Sequence, residues 1–257
     1  MRLIWIIIAL IGLWACQSES STTQDDTFDH IKDKKVRQLL KEATIAAGGR
    51  NIWNSKKQLS FQKYVALYDS TGTAEQENWQ THTYTYQPTK KVEINWEKDS
   101  AAYEIIAKND QLQRLVNGGI DTSVSQQSLE NTVLSATFVI SLPFKLLDEG
   151  VQLSYQGKKQ LDTGQSVEVL RAVYDATQNE QHSNQDVWEL YFDASDHRML
   201  GYQVQHDDHI SYVLNESFHV VEGLVFPHLR KSYRVNENGE RLFLRAAYEY
   251  KDFTVRF

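Results

Sequence analysis

The sequence predicts a mainly β domain with a few helices (α+β), built on a single curved antiparallel sheet, an open half-barrel whose concave side is plugged by helices. Three observations carry this. The chain holds 13 Tyr, 10 Phe and 6 Trp against only 3 Pro, and aromatic residues beside β-branched ones fit a pleated, half-buried surface. From residue 58 onward the apolar pattern repeats every two residues, the period of a strand. The links between these runs are short and polar, which suits antiparallel hairpins and not the long crossovers of βαβ units.

The chain opens with Met1-Arg2 and the apolar run LIWIIIALIGLWA, followed by Cys16, the single cysteine. A spanning helix needs roughly 20 apolar residues; this run is shorter and suits the apolar part of a secretory signal. Its end, Leu13-Trp14-Ala15-Cys16, resembles a bacterial lipobox, in which cleavage leaves an acylated cysteine as the new N-terminus. Residues 1–15 are therefore expected to be a lipoprotein signal peptide, Cys16 the lipidation site, and 16–27 a flexible, polar tether. A plain signal peptide with an incidental cysteine, or a short anchor, is the alternative. Several acyl chains hold a protein on a membrane where one binds only marginally. A lone cysteine allows no intramolecular disulfide, so the remaining domain, 28–257, must rest on its core.

Within that domain, residues 30–47 carry apolar residues at three- and four-residue steps (Ile31, Val36, Leu39, Leu40, Ala43, Ala46, Ala47). The spacing predicts a helix capped by Asp29 and ended by Gly48-Gly49. NIWNS reads as a further short turn of helix that tucks Trp53 away. Strands follow in LSFQKYVALY, where Lys63 is the exception on two apolar faces, and in THTYTY, KVEINW and 102–118, the last as a hairpin about Asn109-Asp110. A second helix is expected over 126–141, with Leu129, Val133, Ala136 and Ile140 on one stripe and Pro143 as its stop; the run VLSATFVISLPF also fits a strand. Hairpins then resume: VQLSYQG with SVEVLRAVY, VWELYFD with MLGYQVQ, SYVLNESFHVV turning at Glu222-Gly223 into LVFPHLRKSYRV, and the C-terminal RLFLRAAYEYKDFTVRF.

The net charge of −7 argues against nucleic acid as a partner. Residues His206-Asp207-Asp208-His209 hold metal-ligand types, but on an extended strand His206 and His209 point to opposite faces, and a polar hairpin turn explains them. Asp193, Asp196 and His197 sit in another polar link, and His182 and Asp186 in NEQHSNQD; hairpin ends pool such residues at one sheet edge without the spacing demanding it. The chain has no GxSxG, HExxH or GxxxxGK motif. No catalytic residue, metal or cofactor is expected.

Other residues carry a resemblance. The helix ending in AAGG, then Trp53, then Leu59 and Phe61 opening a strand, resembles the start of LolA-type lipoprotein-carrier domains. Leu142-Pro143-Phe144-Lys145-Leu146-Leu147-Asp148, the following VQLSYQGKKQLDTG, and Gly223-Leu224-Val225-Phe226-Pro227 are more specific. Together they resemble an uncharacterised family of Bacteroidetes-type lipoproteins with a LolA-like (outer-membrane lipoprotein carrier-like) fold, over most of residues 35–257. The resemblance implies an open half-barrel that holds acyl chains or another greasy ligand, or that binds a partner; these are packing and turn motifs and transfer no reaction. Ile94 and Trp96, Trp188, Leu190 and Phe192, and Tyr202 on the hairpin partner with Leu200 and Val204, are the candidate ligand-binding residues; plain core is the alternative. The expected protein is a non-enzymatic lipoprotein of the bacterial envelope, on the outer membrane facing the periplasm, that binds a lipid or other hydrophobic molecule. A non-catalytic interaction module among envelope proteins, and a metal-dependent hydrolase, are the rival readings.

Overall fold

A computed structural model of the protein describes residues 26–109, 111–175, 177 and 186–257. The expected signal segment 1–15, Cys16, most of the expected tether, Asp110 of the expected 102–118 turn and His182 lie outside the described residues. Among these, three α-helices and fifteen strands are found, more strands than the roughly ten to twelve that the alternating runs suggest. The helices are α1 (Lys34–Ala46), α2 (Arg50–Ser55) and α3 (Gln126–Ser141). The first strands are β1 (Gln58–Tyr68), β2 (Ala74–Thr85), β3 (Lys91–Lys98), β4 (Ala101–Lys108), β5 (Gln111–Val116) and β6 (Gly119–Ile120). After α3 come β7 (Val151–Gln160), β8 (Ser166–Tyr174), β9 (Val187–Asp193), β10 (Met199–Gln205) and β11 (Ile210–Asn215). The last are β12 (Phe218–Val221), β13 (Leu224–Pro227), β14 (Leu229–Val235) and β15 (Arg241–Arg256). No helix among the described residues is long and apolar enough to cross a membrane.

Thirteen strands form one sheet in the order β6-β5-β4-β3-β2-β1-β15-β14-β11-β10-β9-β8-β7, with β12 and β13 paired apart from it. Neighbouring strands run antiparallel. The end strands β6 and β7 do not pair with one another, so the sheet is an open, curved half-barrel and not a closed barrel. One extra strand is the two-residue β6, which follows β5; the others come from two places where a single run was expected. SYVLNESFHVV divides into β11 of the large sheet and β12 of the small one. LVFPHLRKSYRV divides at Pro227-His228: Pro227 has no N–H to continue a ladder, and His228 N instead donates to Ser217 O at 2.8 Å as the chain crosses between sheets.

Helix α1 starts later than the pattern suggests. Asp33, not Asp29, is the cap, its Oδ1 accepting from Lys35 N at 2.7 Å and Val36 N at 3.1 Å. Ile31 stays ahead of the helix because Arg37 ties down its carbonyl with two N–H donors at 2.8 and 2.6 Å, and Phe28 and Ile31 then bury beside α1. Val36, Leu39, Leu40 and Ala43 face Leu170, Ala172, Leu190 and Phe192 of β8 and β9. Each fully buried leucine contributes on the order of 1.5–3 kcal/mol. Helix α1 thus plugs the concave side over the β7–β10 half of the sheet.

The helix ends in a Schellman motif: Gly48 N donates to Ile45 O and Gly49 N to Thr44 O, both at 2.9 Å, with Gly48 at φ +107°. The helix end docks on the small sheet, since Val225 N donates to Ala47 O at 3.1 Å. Here the motifs of the resemblance meet. Ala47, Trp53, Leu59, Phe61, Phe144 and Phe226 share one buried cluster. Trp53 stacks on Phe144 with centroids 4.6 Å apart, and Phe226 stacks on Phe253 at 4.5 Å.

Lys56 seals the edge of this cluster. Its Nζ donates to Trp53 O at 2.8 Å and stands 3.3 Å and 4.0 Å from the ring centroids of Trp53 and Tyr86. Burial pushes its ammonium down to about 7 from the usual 10.5. The folded value lies below the unfolded one, so the folded chain holds fewer protons between about pH 7 and 10.5, and stability rises with pH through that window, by at most about 1.4 kcal/mol per unit. The melting temperature of wild type relative to Lys56→Met is expected to climb between about pH 7 and pH 9. A difference independent of pH contradicts this account.

Candidate functional site

Helix α3 spans the bounds its stripe predicts, with Ser125 Oγ accepting from Ser128 N at 3.2 Å at its start. Leu129, Val133 and Ala136 rest on Ile94 and Ile105 of β3 and β4. Toward its other end Phe138 meets Trp188 of β9, with centroids 4.9 Å apart, and Ile140 enters the Trp53–Phe144 cluster. The helix is therefore pinned at both ends over the concave face. Between these supports lies a hollow of about 1350 Å³, walled by residues of β1–β5, β8–β11, β14 and β15 and roofed by α3. It exceeds the roughly 300–1,000 Å³ of a drug-sized ligand pocket.

Of the candidate residues, the structure brings Ile94, Trp96, Trp188 and Tyr202 to the wall of this hollow. Leu190 and Phe192 share a face with Trp188, but β9 passes beneath α1 before it reaches them, and both are enclosed in the core there. Leu200 does not share a face with Tyr202 and Val204. The β9–β10 register shifts between Met199 and Gly201, a bulge that turns Leu200 to the outer face beside Tyr191 and Tyr212. Gly201 is required there, because a Cβ would overlap Val213 O of β11. The outer cluster is covered by strand side chains themselves, with Arg241 over Tyr212 and Tyr233 and Lys159 over Tyr191.

The hollow is less apolar than the alternating pattern suggests, because its floor is basic. Register places Lys63 of β1 opposite Tyr250 of β15, and Arg230 of β14 opposite Tyr248. All four therefore share the concave face. Arg230 is only 3% exposed; its Nη2 donates to Tyr202 Oη at 2.7 Å, and its Nε has no hydrogen-bond partner. Lys63 Nζ stands 4.8 Å from the Tyr248 ring centroid and 5.8 Å from that of Tyr250. Burial pushes the Lys63 ammonium down, Tyr250 opposes this, and Arg230 adds repulsion. Burial raises the Tyr250 phenol, yet Lys63 and Arg230 outweigh it and leave the group below its usual value. His82, also on this floor, is held well below its usual value by burial and by Lys63, and its two ring nitrogens meet Tyr84 Oη at 2.9 Å and Gln80 Oε1 at 3.0 Å. Lys63 stood out in the sequence as a cation in an apolar strand. Arg230 did not, because HLRKSYRV holds three basic residues and nothing local says which one faces inward.

The histidine turn differs in detail from an extended strand. His206 N donates to His209 O at 2.9 Å, and this closed turn brings the two rings to 4.5 Å. Asp186 does join it, its Oδ1 lying 2.7 Å from His206 Nδ1. His209 pairs with Asp208 at 2.6 Å, and burial pushes its imidazole down despite that carboxylate. In the other link, Asp193 Oδ1 accepts from Ser195 N at 2.8 Å, and His197 reaches Glu42 at 3.1 Å. Among the described residues no group of three His, Cys, Asp or Glu side chains could hold one metal ion.

An open antiparallel half-barrel with helices on its concave side defines a LolA-like class of fold, and solved structures agree. The chain is similar to a LolA superfamily protein from Nitrosomonas europaea (TM-score 0.55, 12% identity, covering 86% of this chain and 94% of that one). It is also similar to a DUF1329 family protein from Desulfovibrio piger (TM-score 0.57, 8% identity, 86% and 92% covered). A third is an outer membrane lipoprotein-sorting protein domain from Vibrio parahaemolyticus (TM-score 0.52, 9% identity, 85% and 91% covered). No protein-family model and no curated protein sequence matches the chain.

Proposed function

We propose that this protein is a lipoprotein of the bacterial envelope that holds a lipid or other hydrophobic ligand in the hollow beneath α3, without catalysis. The hollow carries the reading: α3 bridges it from supports at both ends and leaves about 1350 Å³ that side chains do not fill. Ile94, Trp96, Trp188 and Tyr202 form ligand-contacting wall, with Leu190 and Phe192 as the core behind it. In this reading residues 1–15 are a signal peptide of a Bacteroidetes-type lipoprotein, Cys16 carries the acyl anchor, 16–27 is the tether, and 28–257 faces the periplasm from the outer membrane. The lipobox-like Leu13-Trp14-Ala15-Cys16 supports the anchor, and the outer membrane lipoprotein-sorting neighbour fits the location.

Organic-solvent extraction of the purified protein, followed by mass spectrometry, is expected to recover bound lipid at a fixed ratio to protein. Emptied protein should take up a fluorescent fatty acid saturably. Recovery of no lipid together with no saturable uptake contradicts the reading. A second reading, a docking module for another envelope protein, has its footing in exposed Val220 on the β12–β13 hairpin and Ile52 beside Gly223. A stoichiometric protein partner on a lipid-free domain would favour it.

A further inference from the structure

We propose that Lys63 and Arg230 make the floor of the hollow a headgroup site for an anion, so that the ligand is an amphiphile with one acidic headgroup, carboxylate or phosphate, on an acyl chain. This rests on the apolar-ligand reading and sharpens it. A buried charge is kept where it is paired or hydrogen-bonded. Here two cations of the same sign lie on either side of β15 on one face and repel each other. Among the described residues neither makes a salt bridge: the partners of Lys63 are the rings of Tyr248 and Tyr250, and those of Arg230 are Tyr202, Tyr248 and Tyr250. The carboxylates on the wall are Asp99 and Asp186; Asp186 is engaged by His206, and Asp99 follows β3 in the exposed β3–β4 turn.

The donors are also aimed. A guanidinium offers five N–H groups in a planar fork. Tyr202 Oη takes one at 2.7 Å and fixes the plane, while Nε is buried with no acceptor. Lys63 is half-buried, and its Nζ has ring faces beneath it and no oxygen acceptor among the described residues, although the floor holds polar side chains. His82 cannot serve as that acceptor, since Tyr84 and Gln80 occupy both its nitrogens. A carboxylate or phosphate oxygen supplies what both cations lack, and charge-assisted, forked contacts to arginine are the strong kind. From that floor the way out runs past Trp188, Phe138 and Val213 on one side and Trp96, Ile94 and Leu129 on the other. These six side chains suit an acyl chain; the other cations of the wall are Arg114, over the Trp96 ring and ion-paired with Asp121 at 3.2 Å, and Lys98, exposed at the end of β3. The six side chains and the two cations thus describe one elongated ligand, acidic at one end and apolar along its length.

The test measures displacement of a fluorescent acyl probe from the full chain in non-ionic detergent. The competitors are palmitate, hexadecyl phosphate, hexadecanol and hexadecyltrimethylammonium, with acetate and inorganic phosphate as chainless anions. Palmitate or hexadecyl phosphate is expected to bind at least about tenfold tighter than hexadecanol, and the tighter of the two names the headgroup. The cationic amphiphile should bind more weakly than the alcohol. Lys63→Met and Arg230→Met should each cut the acid-to-alcohol ratio by at least about threefold, and the double variant should bring it near unity. Hexadecanol binding should stay within about twofold of wild type in all three, which also reports that the hollow is intact; Lys63→Arg should keep the preference. Equal binding of acid and alcohol by wild type overturns the headgroup site and leaves the apolar reading standing. Chainless anions binding as tightly as their acyl counterparts overturn it in favour of a free-anion site. If none of the amphiphiles displaces the probe, the apolar reading falls, and the headgroup site with it.

Discussion

Phe226→Ala is expected to destabilise the protein by about 3–5 kcal/mol, measured as the shift in the denaturant midpoint at unchanged slope. Phe226 is 1% exposed and belongs to the buried cluster that joins α1, α2, the α3 end and the central strands. Its ring stacks on Phe253, which in turn stacks on Phe61 at 5.1 Å. Truncation removes one layer of a three-ring stack at the joint between the small sheet and β15. The neighbouring rings are held by strand backbones, so the cavity cannot close easily. A loss below about 1 kcal/mol would show that the small sheet merely lies against the domain and does not brace it.

Gly48→Ala is expected to cost about 2–6 kcal/mol, from two independent causes. At φ +107° an L side chain is strained, typically by about 1–3 kcal/mol. The added Cβ would also overlap Gly223 O and crowd Leu224 Cα, and overpacking of this kind costs about 1–3 kcal/mol. Gly49, also at positive φ, has open space where its Cβ would stand. Gly49→Ala is therefore expected to cost the strain alone. Measuring both separates the docking of the helix end on the β12–β13 turn from the Schellman geometry itself; equal losses would mean the close approach is not made in solution.

How much of this was legible depends on the range of the interactions. Helix α3 was legible because its stripe and the following Pro143 are local signals, and its length, with Ser125 capping it, decides against the strand that VLSATFVISLPF also fits. The curved antiparallel sheet followed from the period of two and the short links, while its LolA-like character was implied only by the resemblance of motifs such as Leu142–Asp148 and Gly223–Pro227. The α1 cap lies four residues beyond the Asp29 that the local pattern predicts: Asp29 and Asp33 both precede apolar steps, and a long-range choice, burial of Phe28 and Ile31 with Arg37 on the Ile31 carbonyl, decides between them. Leu200 lies on the face opposite to the one strict alternation predicts, because one bulged residue inverts the pattern. The six candidate wall residues were chosen by face, and face alone cannot tell a wall from a core. Trp188 and Phe192 lie on the same side of β9, but α1 covers only one of them. Arg230 escaped notice for the same reason in reverse: its exposure is set by Tyr202 and Tyr248 on other strands.

Tryptophan quenching by a brominated acyl chain reports on occupancy of the hollow itself. Bromine quenches only indoles it touches. Trp96 and Trp188 face the hollow, Trp53 is stacked in the core, and Trp79 is exposed beside Tyr64 and Lys251. Titrating the brominated chain is expected to give saturable quenching that largely disappears in Trp96→Phe/Trp188→Phe. Absence of saturation, or quenching that survives in the double variant, would place the ligand elsewhere or nowhere and contradict the account.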